Sequence, residues 1–160
     1  RDYSKTPEFA AVLYDRLGTS YYLAGQCEKA LQTFDRALKY TPNNHAVLNN
    51  YAYLCIECLK DAQKALQPAR LAVQLQPTRA EYLDTLALVL ISAKQYAEGL
   101  EYADRAAKLG DSAPVQLHRA MALLELGRTE QAREAARKAG DLNPDPPTKA
   151  SLEQLLPRLK

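Results

Sequence analysis

The sequence predicts an all-α fold, a stack of antiparallel helical hairpins, and three observations carry that prediction. Small and apolar residues fall three or four apart in short blocks, Tyr14, Leu17, Gly18 and Tyr21, then Ala30, Phe34 and Ala37, each block one stripe on a helix. Between the two stripes lies LAGQCE, where Gly25 supplies the permissive backbone that ends one helix before Glu28 and Lys29 open the next. The pattern then recurs: Ala37, Ala72, Ala106 and Ala139 stand 35, 34 and 33 residues apart. Pro42, Pro77 and Pro144 keep the same phase, with Asp111 where the third proline would fall. A period of this size marks a stacked array. A turn so tight makes the two helices antiparallel, and Gly18 and Ala30 leave room for Tyr14, Tyr21 and Phe34 to interlock.

In chain order, Arg1 to Lys5 carry no periodic pattern and read as a frayed start. Thr6 is an N-cap with Pro7 at the first helical position, and Phe9 and Leu13 are placed to cover the open end of the stack. The second hairpin puts Leu48, Tyr51, Ala52 and Cys55 on its first helix and Ala65, Ala69 and Ala72 on its second. Its turn, ECLKDA, holds one extra residue, and Asp61 caps the helix that follows. Pro68 lies inside that helix, where it removes a backbone hydrogen bond, so a kink is expected near Lys64 to Pro68. Leu83, Leu86, Ala87 and Leu90, then Gly99, Ala103 and Ala106, make the third hairpin. Leu117, Ala120, Met121 and Leu124, a turn at Gly127, then Ala132, Ala136 and Ala139, make the fourth. After NPDPP, Leu152, Leu155, Leu156 and Leu159 line one side of a short helix that Pro157 breaks near its end.

Composition bounds the function. The 160 residues are 47% hydrophobic, enough for one continuous core. Twenty-one basic against nineteen acidic residues leave a formal charge of +2, so no overall field directs the chain to nucleic acid or an anionic membrane. No apolar run approaches the roughly 18 residues of a membrane span, and no charged-then-apolar leader opens the chain. A start at Arg1 rather than methionine points to a piece of a longer protein. Cys27, Cys55 and Cys58 are an odd number without the spacing of a disulfide framework, which favours a reducing, cytoplasmic setting over a periplasmic or envelope-associated one.

Tyr14, Leu17, Gly18, Tyr21, Ala30, Phe34, Ala37 and Pro42 together resemble the tetratricopeptide repeat signature nearly in full, and the resemblance covers about Ala11 to Pro147. It implies a single domain over residues 1–160, a right-handed α-solenoid of four hairpins at about 11–44, 45–79, 80–113 and 114–147, with a capping helix at about 148–159. The style of LNNYAYL followed by YLDTLALVL is similar to bacterial members associated with envelope or secretion machinery. In such arrays the first helix of each hairpin lines the inside of a curve, and side chains off its packing stripe face a groove that holds a peptide or a partner's helix.

The groove candidates are Asp15, Arg16, Thr19 and Tyr22 in the first hairpin, and Asn49, Asn50, Tyr53 and Ile56 in the second. The third hairpin offers Glu81, Asp84, Thr85 and Leu88, the fourth Val115, His118, Arg119 and Ala122. Asn50 is the sharpest of them, since its amide can donate to and accept from one peptide unit; the plain alternative is that Asn49 and Asn50 satisfy helix ends or water. Acids at Asp15, Glu81 and Asp84 with His118 and Arg119 at the other end suggest a ligand with a basic segment followed by an acidic one. Family members that clamp the acidic C-terminus of heat-shock chaperones use lysines, an arginine and asparagines. The matching places here are Asp15, Thr19, Asn50, Glu81 and Thr85, so only Asn50 survives and such a peptide is expected not to bind.

Other chemistry finds little support. Cys55 and Cys58 spell C-x-x-C, but an all-helical pattern lacks the strand-to-helix setting of a redox pair, and zinc needs a second pair of ligands. Buried structural cysteine is the expectation, with Cys27 the one reactive thiol. His45 and His118 are too far apart in the stack to act together, and no nucleophile, carboxylate pair or phosphate loop is present. No catalytic residue, metal ligand or cofactor is therefore assigned. The ten tyrosines read as core. RNA reading by helical repeats needs a basic inner face, which the acids oppose. The competitor to partner binding is self-assembly, in which the Phe9 region or the closing helix fills a neighbour's groove and makes a homo-oligomer.

Overall fold

The computed structural model of the chain describes residues 6–160, so the expected frayed start at Arg1 to Lys5 lies outside it. Among the described residues there are nine α-helices, a closing 3-10 turn and no strand, an all-α helical-repeat fold. Two compact units result, one ending at Pro77 and one beginning at Thr78.

The first unit holds α1 (Pro7–Leu23), α2 (Cys27–Tyr40), α3 (His45–Glu57) and α4 (Ala62–Leu75). Local chemistry sets the ends. Thr6 Oγ1 accepts from the Phe9 N–H at 3.2 Å with Pro7 next in line, Asn44 Oδ1 accepts from Ala46 and Val47, and Asp61 Oδ1 accepts from the Lys64 N–H at 3.0 Å. Gly25 turns the first hairpin at φ +71°, in the left-handed region that only glycine enters freely. Phe34, 1% exposed, lies on Gly18, where an added Cβ would meet its ring at 2.8 Å. The close approach of α1 to α2 thus rests on a residue without a side chain. Pro68 does not interrupt α4, which is assigned unbroken from Ala62 to Leu75 with Ala65, Ala69 and Ala72 buried on one side.

The cysteine expectation is overturned. Cys27 and Cys58 form a disulfide across 31 residues with Cα atoms 5.8 Å apart, so neither is a free thiol. Their spacing in sequence carried no signal because the bond joins two different hairpins. Closing a loop of this length contributes roughly 3–4 kcal/mol. Cys55 alone is free and buried, as expected of a structural cysteine. The tyrosines also depart from the core assignment. Tyr51 and Tyr82 are buried, Tyr14, Tyr21, Tyr22 and Tyr53 are half-buried, and Tyr40 is 52% exposed, its ring stacked on Tyr14 at 5.8 Å.

One face of α1 stays open. Phe9, Val12, Leu13 and Leu17 recur on one stripe and are 39–52% exposed. The matching positions of later hairpins, Val47 and Tyr51, then Tyr82 and Leu86, are 0–6% exposed. In the first unit α2 packs against α3, whereas no described helix precedes α1 to do the same.

The second unit holds α5 (Ala80–Ser92), α6 (Tyr96–Leu109), α7 (Ala113–Glu125), α8 (Thr129–Asp141), α9 (Pro146–Leu155) and the 3-10 turn Leu156–Leu159. Its core runs from Ile91 and Leu100 through Leu117, Ala120 and Leu123 to Ala132, Ala136 and Ala139. Leu152, Leu155 and Leu159 close it, as expected of a capping helix. Asp145 caps α9 by accepting from the Thr148 N–H at 3.1 Å, and the helix tightens to 3-10 geometry across Pro157. Arg133 of α8 donates to the carbonyls of Leu159 and Lys160 and ties the closing turn down.

Candidate functional site

The first helices of each hairpin supply the candidate surface, and in each unit they are joined by polar clips. In the first unit Asn50 Nδ2 of α3 donates to Asp15 Oδ1 of α1 at 3.0 Å. Asn49, 3% exposed, lies beside it; its Nδ2 points to Asn50 Oδ1 at 3.5 Å, while its own Oδ1 is buried with no hydrogen-bond partner. An orphaned buried acceptor of this kind costs roughly 1–3 kcal/mol. Tyr22 of α1 meets Tyr53 of α3 edge to face, with ring centroids 6.1 Å apart. Arg16 and Thr19 are exposed, and Thr19 Oγ1 donates to the Asp15 carbonyl. The surface of this unit therefore combines a guanidinium, a carboxylate–amide pair and two aromatic edges.

In the second unit His118 Nδ1 of α7 lies 2.7 Å from Asp84 Oδ1 of α5. Thr85, Leu88 and His118 are all under 10% exposed, and Thr85 Oγ1 is spent on the Glu81 carbonyl. Ile56, Val115 and Ala122 are likewise buried. Of the candidates on α5, Glu81 is exposed and Asp84 partly so.

Arg119 goes elsewhere. Its Nε donates to Asp104 Oδ1 of α6 at 2.6 Å and its Nη1 to Gln116 Oε1 at 2.9 Å. Gln116, 1% exposed, donates in turn to Asp111, and Lys138 of α8 pairs with the other oxygen of that carboxylate at 2.5 Å. Burial opposes ionisation of Asp111, but Lys138 and Gln116 outweigh it and hold the carboxyl below its usual range. Asp104, Gln116, Arg119 and Lys138 rim a cleft of about 210 Å³ between α6, α7 and α8, with Leu100, Leu123 and Ala135 in its wall. The expected run of acids followed by His118 and Arg119 is thus not an open charge gradient, because His118 is partnered by Asp84 and Arg119 by Asp104. Gln116 was missed as a site residue. Its signal was a polar side chain at the position that holds Leu13, Val47 and Tyr82 in the other hairpins.

Behind the first surface lies a second polar group. Burial pushes the Cys55 thiol up to about 11, and burial also raises Tyr51, whose hydroxyl is hydrogen-bonded to Lys64. Among the described residues no group of three or more His, Cys, Asp or Glu side chains is placed to hold a metal ion, and no helix is long and apolar enough to cross a membrane.

Comparison with known proteins agrees with the geometry. Two family profiles described as tetratricopeptide repeat match residues 16–80 and 113–146. Mouse tetratricopeptide repeat protein 7B is 34% identical over 64% of this chain, which spans 13% of that protein. Among solved structures, TTC0263, a thermophilic tetratricopeptide protein of Thermus thermophilus, aligns at a TM-score of 0.80 and 22% identity, covering 91% of this chain and 80% of its own. MamA from Desulfovibrio magneticus aligns at 0.73 and 20%, covering 82% and 75%. PilW, a type IV pilus biogenesis factor, aligns at 0.75 and 20%, covering 86% and 64%. At these identities the structural likeness speaks for the fold alone. Repeats of this kind generally serve as non-catalytic protein-interaction scaffolds. With the 35, 34 and 33-residue period, the Gly18–Phe34 contact and both profile matches in hand, the chain belongs to the tetratricopeptide repeat family.

Proposed function

We propose that this domain is a non-catalytic scaffold that binds a peptide or extended segment of a protein partner on the first-helix surface, centred on α1 and α3. The observation that carries the reading is the clipped Asp15–Asn50 pair beside the Tyr22–Tyr53 edge contact, with Arg16 and Thr19 open to solvent. Hydrogen-bonding groups held in place beside aromatic edges suit a peptide backbone with one or two apolar side chains. The Asp15 carboxylate on this surface opposes a nucleic-acid backbone there. The four hairpins act as one domain in this reading. Its test is capture by the immobilised chain, compared with an Arg16→Glu/Tyr22→Ala variant of matched thermal stability. The variant loses bands that the parent retains; identical band sets sink the proposal.

The exposed Phe9, Val12, Leu13 and Leu17 stripe favours a second reading, self-assembly through α1. Light scattering at two concentrations separates them: a concentration-dependent mass that Leu13→Ser/Leu17→Ser abolishes supports assembly, and a constant monomer mass removes it.

A further inference from the structure

The Cys27–Cys58 bond joins two bends rather than two cores. Cys27 is the first residue of α2 and Cys58 caps the end of α3, so the bond staples the turn of hairpin one to the turn of hairpin two. Each cysteine lies five residues after a member of the Tyr22–Tyr53 contact. α1 packs closely on α2, but this hairpin rests on α3 more lightly than α5 and α6 rest on α7. Ala11 is the one buried hydrophobic side chain of α1 among the described residues, Leu13 and Leu17 face solvent, and the contact of α1 with α3 is slighter than that of α5 with α7. The Asp15–Asn50 hydrogen bond and the aromatic edge join α1 to α3, and the staple with the α2–α3 packing joins the rest of the hairpin.

We propose that this disulfide is a redox gate on the first hairpin's share of the binding surface. Oxidised, it keeps α1 and α2 against α3, and Asp15, Tyr22, Asn50 and Tyr53 stand together. A dithiol reductant opens it in two exchanges. One reductant thiolate attacks the Cys58 sulfur and Cys27 leaves as thiolate, favoured by its place at the N-terminus of α2. The second reductant thiolate then displaces Cys58, leaving two protein thiols and an oxidised reductant. Both cysteines are partly exposed and open to this attack. Cys55, three residues before Cys58 and fully buried, takes no part in reshuffling the bond. That the gate controls partner binding rests on the function proposed above; the gate itself does not.

The test uses the full chain, with and without dithiothreitol, read by iodoacetamide labelling and by hydrogen exchange with mass spectrometry. Before reduction neither Cys27 nor Cys58 takes label; after it both do. Amides of α1 and α2 then exchange about tenfold faster or more, while those of α6, α7 and α8 in the same molecule keep their rates. A Cys27→Ser/Cys58→Ser variant shows the fast pattern without reductant and no further change with it. Label on Cys27 in the untreated protein, or equal exchange in α1 and α2 before and after reduction, overturns the gate. Partner capture that persists after the exchange change would count against the binding surface while leaving the gate in place.

Discussion

His118 Nδ1 of α7 sits 2.7 Å from Asp84 Oδ1 of α5, a contact between residues 34 positions apart and thus one repeat apart. Asp15 and Asn50, 35 positions apart, make the corresponding clip in the first unit at 3.0 Å. In both, a residue one step off the packing stripe bonds across to the next first helix rather than to water. The Asp84 and His118 side chains are only 15% and 11% exposed, so solvent screens the pair weakly.

A double-mutant cycle therefore reads a real coupling there. Asp84→Ala and His118→Ala, singly and together, are expected to give a coupling of about 1–3 kcal/mol in urea unfolding. A value under about 0.5 kcal/mol would mean that the contact adds nothing beyond its two side chains' packing.

Gly18→Ala tests the closest approach of the first hairpin. The added Cβ would stand 2.8 Å from Phe34 Cζ, and Phe34 is too deeply buried to swing away. The expected loss is about 1–3 kcal/mol by thermal or urea unfolding. Phe34→Leu in the same chain makes room, so the second change costs less in the alanine background than in the parent. Strictly additive losses would show that the ring does not set the limit.

Cys55 links stability to alkaline pH. Burial raises its thiol from 9.0 to about 11 in the folded chain. A raised acid keeps its proton in the native state when the unfolded chain has lost it, so the stabilisation is fully present below about pH 9. It is lost as pH climbs towards about 11, where the buried thiol itself ionises. Tyr51, raised by the same burial, acts in the same direction at higher pH. Unfolding at pH 8, 9, 10 and 11 should show the fall, and Cys55→Ala should flatten its lower part. A parent and variant with parallel profiles would rule the thiol out.

Much of this was legible in the residues. The stripes from Tyr14 to Ala37, the caps at Thr6 and Asp61 and the turn at Gly25 all depend on neighbours within one or two helical turns, and each is where the pattern puts it. The candidate surface was legible only in part. Asp15, Asn50, Asp84 and His118 lie where first helices meet, but the pattern does not say that they bond to one another. Arg119 shares a helix with His118 yet reaches back to Asp104, because a long flexible stem lets a guanidinium choose the best carboxylate within several ångströms. Thr85 and Leu88 sit at groove offsets and are nonetheless buried.

The sequence by itself determined the all-α repeat, its period and the family, since helix stripes and turns are written in local spacing. Only the tertiary structure decided that Cys27 meets Cys58, that Asn49 keeps a buried oxygen without a partner, and that Gln116 holds Arg119 over a cleft on the α6 side. Each of these joins or surrounds residues from separate helices. Such meetings are set by how side-chain volumes pack and where the chain brings distant turns within bonding range, and no periodicity along the chain records that distance.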